Sequence, residues 1–125
     1  MQSALATSSS PDNARKRFQN EVAPHLPVLT LDREGDIRSL TRAARATLEY
    51  TADGRVEECF FAHVHKRNMQ RVMRDLADMV CRGKQQARWL LRLRTGNGRW
   101  RWYRAVVQNR LRTEEDDILV RLRTL

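Results

Sequence analysis

Few side chains of this 125-residue chain are suited to metal or nucleophilic chemistry: His25, His63 and His65, Cys59 and Cys81, and the acidic run Glu114, Glu115, Asp116 and Asp117. His63 and His65 stand two residues apart with no carboxylate beside them. That spacing is poor for ligating one ion and suits hydrogen bonding at a helix entry. Two cysteines can build neither a disulfide framework nor a four-cysteine metal site, and a reduced compartment is the expected setting. Cys59, followed by Phe60, reads as a small apolar side chain. The acidic run falls between two strand-like stretches and reads as a solvated turn that could also receive a neighbour's basic surface. A Gly-rich phosphate loop, a nucleophile elbow and a metal-protease helix are all absent from the sequence, so an enzyme is not expected.

Charge is the strongest compositional signal. Lys and Arg number 24 against 15 Asp and Glu, a net +9. Nearly all of the excess is Arg, since Lys occurs only at Lys16, Lys66 and Lys84. Guanidinium groups suit planar pairing with carboxylates or phosphates. A polyanionic partner and a merely solubilising basic surface are both open on this count. Hydrophobic residues make up 41% of the chain, enough apolar surface for one folded domain of this length. No run is long enough to span a bilayer, and residues 1–10 lack the basic and apolar parts of a secretion signal; a soluble, cytoplasmic protein is expected.

Positioning elements follow from periodicity. Residues 1–10 are Ser, Ala and Thr without pattern and read as a flexible tail. Asp12 can cap a short helix carrying Ala14, Phe18 and Val22 on one face before Pro24 and Pro27. Two short strands, 28–31 and 37–40, flank a turn at Asp32–Gly35. Thr41 can cap a helix through Ala43, Ala44 and Leu48, expected to run until the Asp53-Gly54 turn. The stretch 56–64 fits one or two helical turns around Phe60 and Phe61. From Lys66 to Arg82, Met69, Val72, Met73, Leu76, Met79 and Val80 follow helical spacing, with Arg67, Arg71, Arg74, Asp75 and Asp78 assigned to the opposite face and Gly83 as the stop. Strands are expected over 87–95, 99–111 and 118–123. Helices segregated from antiparallel strands make this an α+β fold.

The long hairpin can be read face by face. A three-residue Gly96-Asn97-Gly98 loop pairs Thr95 with Arg99. Leu93, Leu91, Trp89 and Ala87 then oppose Arg101, Tyr103, Ala105 and Val107 on an inner face. Arg94, Arg92, Leu90 and Arg88 oppose Trp100, Trp102, Arg104 and Val106 on an outer one, interleaving guanidinium groups with indoles. A two-residue turn would place Arg104 inside with no partner for its charge.

Over roughly residues 28–124 the chain resembles the PAS domains. Leu31, Asp32, Gly35 and Ile37 are similar to that family's opening hairpin, and Thr41, Ala43, Ala44, Leu48 and Tyr50 to its first helix. Val64-His65 resembles its entry to the long helix, and Gly98 with Arg101-Trp102 its Gly and Arg-Trp hairpin. Glu49 departs from the pattern where Gly is common, as do Lys66 and Asn68, and the closing signature survives only as Leu122, Arg123 and Thr124. The resemblance implies a five-stranded antiparallel sheet with helices across one face, here preceded by the short N-terminal helix: a tail and capping helix over 1–24 and a PAS-like domain over 25–125.

It also implies a role in sensing and protein interaction. The volume for a small ligand would be lined by Phe60, Phe61, Met69, Val72, Met73, Leu76, Trp89, Leu91, Tyr103 and Ala105, residues that can equally form a plain core. An axial histidine for haem is missing from 69–82. The Cys-Arg-Phe and amide pattern of flavin photosensors is missing too, so no cofactor is expected. An interface is expected at Phe18, Val22, Arg92, Arg94, Trp100, Trp102 and Arg104, because two exposed tryptophans call for a cover. That cover would be the chain's own helix, a second copy in a homodimer, or another signalling domain. The alternative is a basic nucleic-acid-binding domain that stacks bases on the Arg/Trp face.

Overall fold

The computed structural model describes residues 25–125, so the expected helix with Phe18 and Val22 lies outside the described residues. Five strands form one antiparallel sheet: β1 (Val28–Leu31), β2 (Ile37–Leu40), β3 (Gln86–Arg94), β4 (Trp100–Arg110) and β5 (Asp117–Thr124). Their order across the sheet is β2-β1-β5-β4-β3, so the first and last strands meet in the middle. Helices α1 (Arg42–Thr47) and α2 (Lys66–Arg82), with a 3-10 turn at Phe60–His63 between them, join β2 to β3.

Local chemistry explains these bounds. The β1–β2 turn closes on Asp32, whose Oδ1 accepts from the backbone N–H of Glu34 and of Asp36 at 2.9 Å each. Gly35 there has φ +87°, and a Cβ on it would sit 2.6 Å from the Phe61 ring, so this turn needs glycine for both conformation and space. Thr41 Oγ1 accepts from Ala44 N–H to cap α1, accepts from Val28 N–H and donates to Leu26 O. One hydroxyl thus fixes the helix start against the edge of β1.

Helix α1 ends earlier than the Asp53-Gly54 turn suggests. Glu49 adopts a left-handed conformation, φ 64°; its N–H bonds to Ala46 O and that of Tyr50 to Arg45 O. This is the Schellman closure, with glutamate where glycine usually serves. Helix α2 has the expected extent. His65 caps its start, accepting from Arg67 N–H through Nδ1, and Gly83 closes it at φ 72°.

The core lies between the helices and one face of the sheet. Leu29, Leu31, Trp89, Leu91, Leu93, Tyr103, Ala105, Val107, Ile118, Val120 and Leu122 face Phe60, Val72, Leu76 and Met79. Alternation along each strand sends every second residue to the opposite face. Among the described residues, no buried side-chain nitrogen or oxygen lacks a hydrogen-bond partner.

Candidate functional site

The long hairpin has the register in which Leu93 opposes Arg101, Leu91 Tyr103, Trp89 Ala105 and Ala87 Val107, with Thr95 N–H donating to Arg99 O at 2.7 Å. The same strands therefore build two different faces.

On the inner face, Phe60, Val72, Leu76, Trp89, Leu91, Tyr103 and Ala105 are all buried in one apolar cluster, with Phe61 and Met69 partly buried against it. Phe60 stacks on Trp89 with ring centroids 6.3 Å apart. Tyr103 Oη donates to Thr47 O at 2.8 Å, and burial pushes its phenol above the ordinary value. Met73 does not belong to this lining: it is 50% exposed. The buried arc of α2 centres on Val72, and the next residue along a helix turns about 100° away from it.

The other edge of that arc holds Asp75, which the charge pattern assigned to the solvent face. Asp75 is only 5% exposed. Its Oδ2 accepts from Trp89 Nε1 and its Oδ1 from Lys84 Nζ, each at 2.8 Å. Burial pushes its carboxyl up, but these hydrogen bonds, with the charges of Lys84 and Arg71, leave it below the ordinary value. A helix of Arg and Asp four apart looks solvated in sequence; only the need of the buried indole N–H for an acceptor reveals the inward turn.

Both central histidines are committed to local hydrogen bonds. His63 Nε2–H donates to Glu57 O at 2.8 Å, which leaves Nδ1 to accept from Tyr50 Oη at 3.3 Å. Among the described residues no group of three or more His, Cys, Asp or Glu could hold a metal ion. Open clefts lie at the margins of the domain, one of about 460 Å³ beside Tyr50, His63 and Arg94 and one of about 420 Å³ between β2 and the 54–58 loop.

Glu49 is a residue of the site region that sequence reasoning met only as a departure from glycine. Its carboxylate accepts from Arg99 at 2.8 Å, Arg101 at 2.7 Å and Asn97 at 2.9 Å. Those donors, Arg99 foremost, push its pKa down to about 2. The end of α1 is thereby clamped to the tip of the β3–β4 hairpin. Gly96 N–H reinforces the clamp by donating to Leu48 O.

On the outer face the strands carry Arg88, Leu90, Arg92 and Arg94 on β3, Trp100, Trp102, Arg104 and Val106 on β4, and Arg121 and Arg123 on β5. Trp100 is 47% and Trp102 43% exposed, and Leu90 and Val106 are exposed beside them. The Arg92 guanidinium lies 4.5 Å above the Trp102 ring, a cation–π contact. Trp100 meets His65 edge to face, centroids 4.9 Å apart. Arg92 is held in turn by Asn68, whose Oδ1 accepts from its N–H at 2.9 Å and its Nε–H at 3.3 Å. Of the seven expected interface residues, Arg92, Arg94, Trp100, Trp102 and Arg104 share one surface, while Phe18 and Val22 fall outside the described residues.

No protein-family model matches the chain, and no curated protein matches it in sequence. Solved structures do match its fold. It is similar to the PAS-B domain of Cycle from Drosophila melanogaster with bound ethylene glycol, at 13% identity over 80% of this chain and 100% of that one, TM-score 0.65. It is similar to the PAS domain of an HTR-like protein from Haloarcula marismortui, at 15% identity over 91% and 92% of the two chains, TM-score 0.65. The PAS domain of the fruit-fly ELK potassium channel matches at 11% identity over 88% and 94%, TM-score 0.64. The fold is that of a PAS domain.

Proposed function

We propose that this chain is a signalling and interaction module that docks a partner through the outer face of its sheet, and that it is not an enzyme. The observation that carries this reading is the pair of half-exposed tryptophans, Trp100 and Trp102, standing with exposed Leu90 and Val106 on a sheet whose other face is already a complete core. Exposed aromatic and aliphatic side chains gathered on one face mark interaction sites. Tryptophan and arginine are the side chains most often found at energetic centres of interfaces. Similarity in fold to the PAS domains of Cycle, of an HTR-like protein and of the ELK potassium channel supports a signalling role. No helix among the described residues is long and apolar enough to cross a membrane.

A small-molecule role for the inner core has weaker support. The lining residues pack against one another in a single cluster, and Met73, which would close such a pocket, faces out.

The test is Trp100→Ser with Trp102→Ser. Each ring has about half of its surface covered, so the double variant should lose roughly 2–4 kcal/mol of stability, from apolar burial and the Arg92 cation–π contact, and stay folded. Partner binding in cells, read by proximity labelling with the native chain as reference, should lose a specific set of neighbours. An unfolded double variant, or an unchanged set of neighbours, would overturn the docking role of this face.

A further inference from the structure

Resting on that docking role, we infer that the occupant of the outer face is an acidic protein segment with apolar anchor residues, and not a second copy of this chain or its own N-terminal segment. The inference comes from which arginines the ion-paired carboxylates among the described residues leave without a partner. Glu49 holds Arg99 and Arg101, Asp75 holds Lys84, Asp78 lies beside Arg82, Asp116 beside Arg33, and Asp117 holds Arg110. Arg88, Arg94, Arg104, Arg121 and Arg123 have no such partner among the described residues.

Those arginines are also placed against one another. Arg104 sits directly opposite Arg123, and Val106 lies between Arg88 and Arg121 across the three strands. Like charges directly opposite one another destabilise a sheet. Among the described residues no acidic side chain forms an ion pair with Arg88, Arg104, Arg121 or Arg123. A surface that keeps such repulsion in the free state is complementary to a negative one.

The competing occupants fit less well. A second copy docked face to face would set the same arginine array against itself, because a two-fold interface repeats one patch. Residues 1–24 carry Arg15, Lys16 and Arg17 against Asp12 and Glu21, so that segment brings no net negative charge. Nucleic acid would supply the charge but would need free ring faces for stacking. One face of Trp102 is covered by Arg92, and Trp100 is engaged by His65. Leu90 and Val106 add aliphatic surface, which apolar peptide side chains fill better than bases do.

The test uses the full chain and a random-peptide library displayed on phage, with Arg104→Glu/Arg121→Glu as counter-target. The reversal turns the Arg104–Arg123 contact from repulsive to attractive, so that variant should keep its thermal midpoint. Recovered peptides should combine Asp or Glu with aromatic or aliphatic residues, quench the fluorescence of the native chain, and bind the reversed chain about tenfold more weakly. Neutral or basic peptides that bind both chains equally, and still need Trp100 and Trp102, would overturn the acidic occupant and leave the docking role standing. So would a self-associated state in sedimentation that Trp100→Ser/Trp102→Ser dissociates, or a gain of binding on deleting residues 1–24. Tighter binding of an oligothymidylate, lost steeply with salt, would assign the face to nucleic acid. Recovery of no peptide that needs either tryptophan would overturn both the occupant and the docking role.

Discussion

Replacing Asp75 with alanine should be among the costliest single changes in this domain, although the residue lies on a helix rich in exposed charge. The substitution leaves Trp89 Nε1–H buried without an acceptor, since Trp89 is 3% exposed and its indole N–H bonds to Asp75. An orphaned buried donor costs about 1–3 kcal/mol, and a hydrogen bond to a charged group contributes about 1.5–3 kcal/mol. These describe largely the same loss. The Lys84 ammonium is 39% exposed, so solvent screens that half of the network and adds about 1 kcal/mol at most. The expected cost is therefore about 2–4 kcal/mol, a fall of roughly 10–25 °C in midpoint for a domain of this size. Urea unfolding followed by far-UV circular dichroism would measure it. Trp89→Phe removes the donor together with part of the buried indole; that packing loss is common to both arms of a double-mutant cycle with Asp75→Ala, so the cycle should show coupling of about 1.5–3 kcal/mol, whereas Lys84→Met should cost about 1 kcal/mol or less. A loss below about 1 kcal/mol for Asp75→Ala, or additive single effects, would refute the assignment of the network as the anchor between α2 and β3.

Two further outcomes follow from the same geometry. Glu49, held down to about 2, adds stability that is fully present above the unfolded carboxylate range near 4.3 and is lost as pH falls towards 2; Glu49→Gln should remove that part of the acid dependence in thermal melts from pH 2 to 6, and an unchanged profile would sink the clamp. Gly35→Ala combines a positive φ with a Cβ driven into the Phe61 ring, so it should destabilise by about 1–3 kcal/mol and be partly rescued by Phe61→Leu, a rescue that calorimetry would detect.

Much of this arrangement can be read from sequence wherever two independent signals agree. The β3–β4 hairpin is such a case: strict alternation in both strands and the Gly96-Asn97-Gly98 loop demand the same register, because a slip by one residue would bury arginines. Helix α2 is bounded equally well by the His65 cap and Gly83. What escapes is side-chain chemistry that depends on partners distant in sequence. Asp75 answers to Trp89, fourteen positions on; by helical spacing alone it pairs with Arg71 and looks solvated. Met73 belongs to the apolar stripe by periodicity, yet the helix is rolled towards Asp75, so Met73 points out. The end of α1 escapes for a related reason. A glutamate in the left-handed region is locally unfavourable, and three donors gathered from the hairpin, distant in sequence, hold the Glu49 carboxylate there.

The hairpin register read from sequence, together with contacts that escape it, frames the outer face. Trp100 and Trp102 lie on a strand paired on both sides or held at its tip: nine consecutive pairs join β4 to β3, from Gln86 with Gln108 to Arg94 with Trp100. Asn97 and Arg99 beyond the last pair, and Arg101 within the ladder, are fixed to Glu49. The outer edge of β3 is fastened in turn. Val64 bridges to Leu93, His65 N–H donates to Arg92 O, and Asn68 grips Arg92. Side chains displayed on such a frame lose little backbone freedom on docking, and the cost of association falls accordingly. Because the inner residues of these strands are locked in the core, the spacing of the outer tryptophans and arginines is set by core packing. A partner complementary to that spacing, as proposed above, would need little rearrangement of the backbone that carries these side chains.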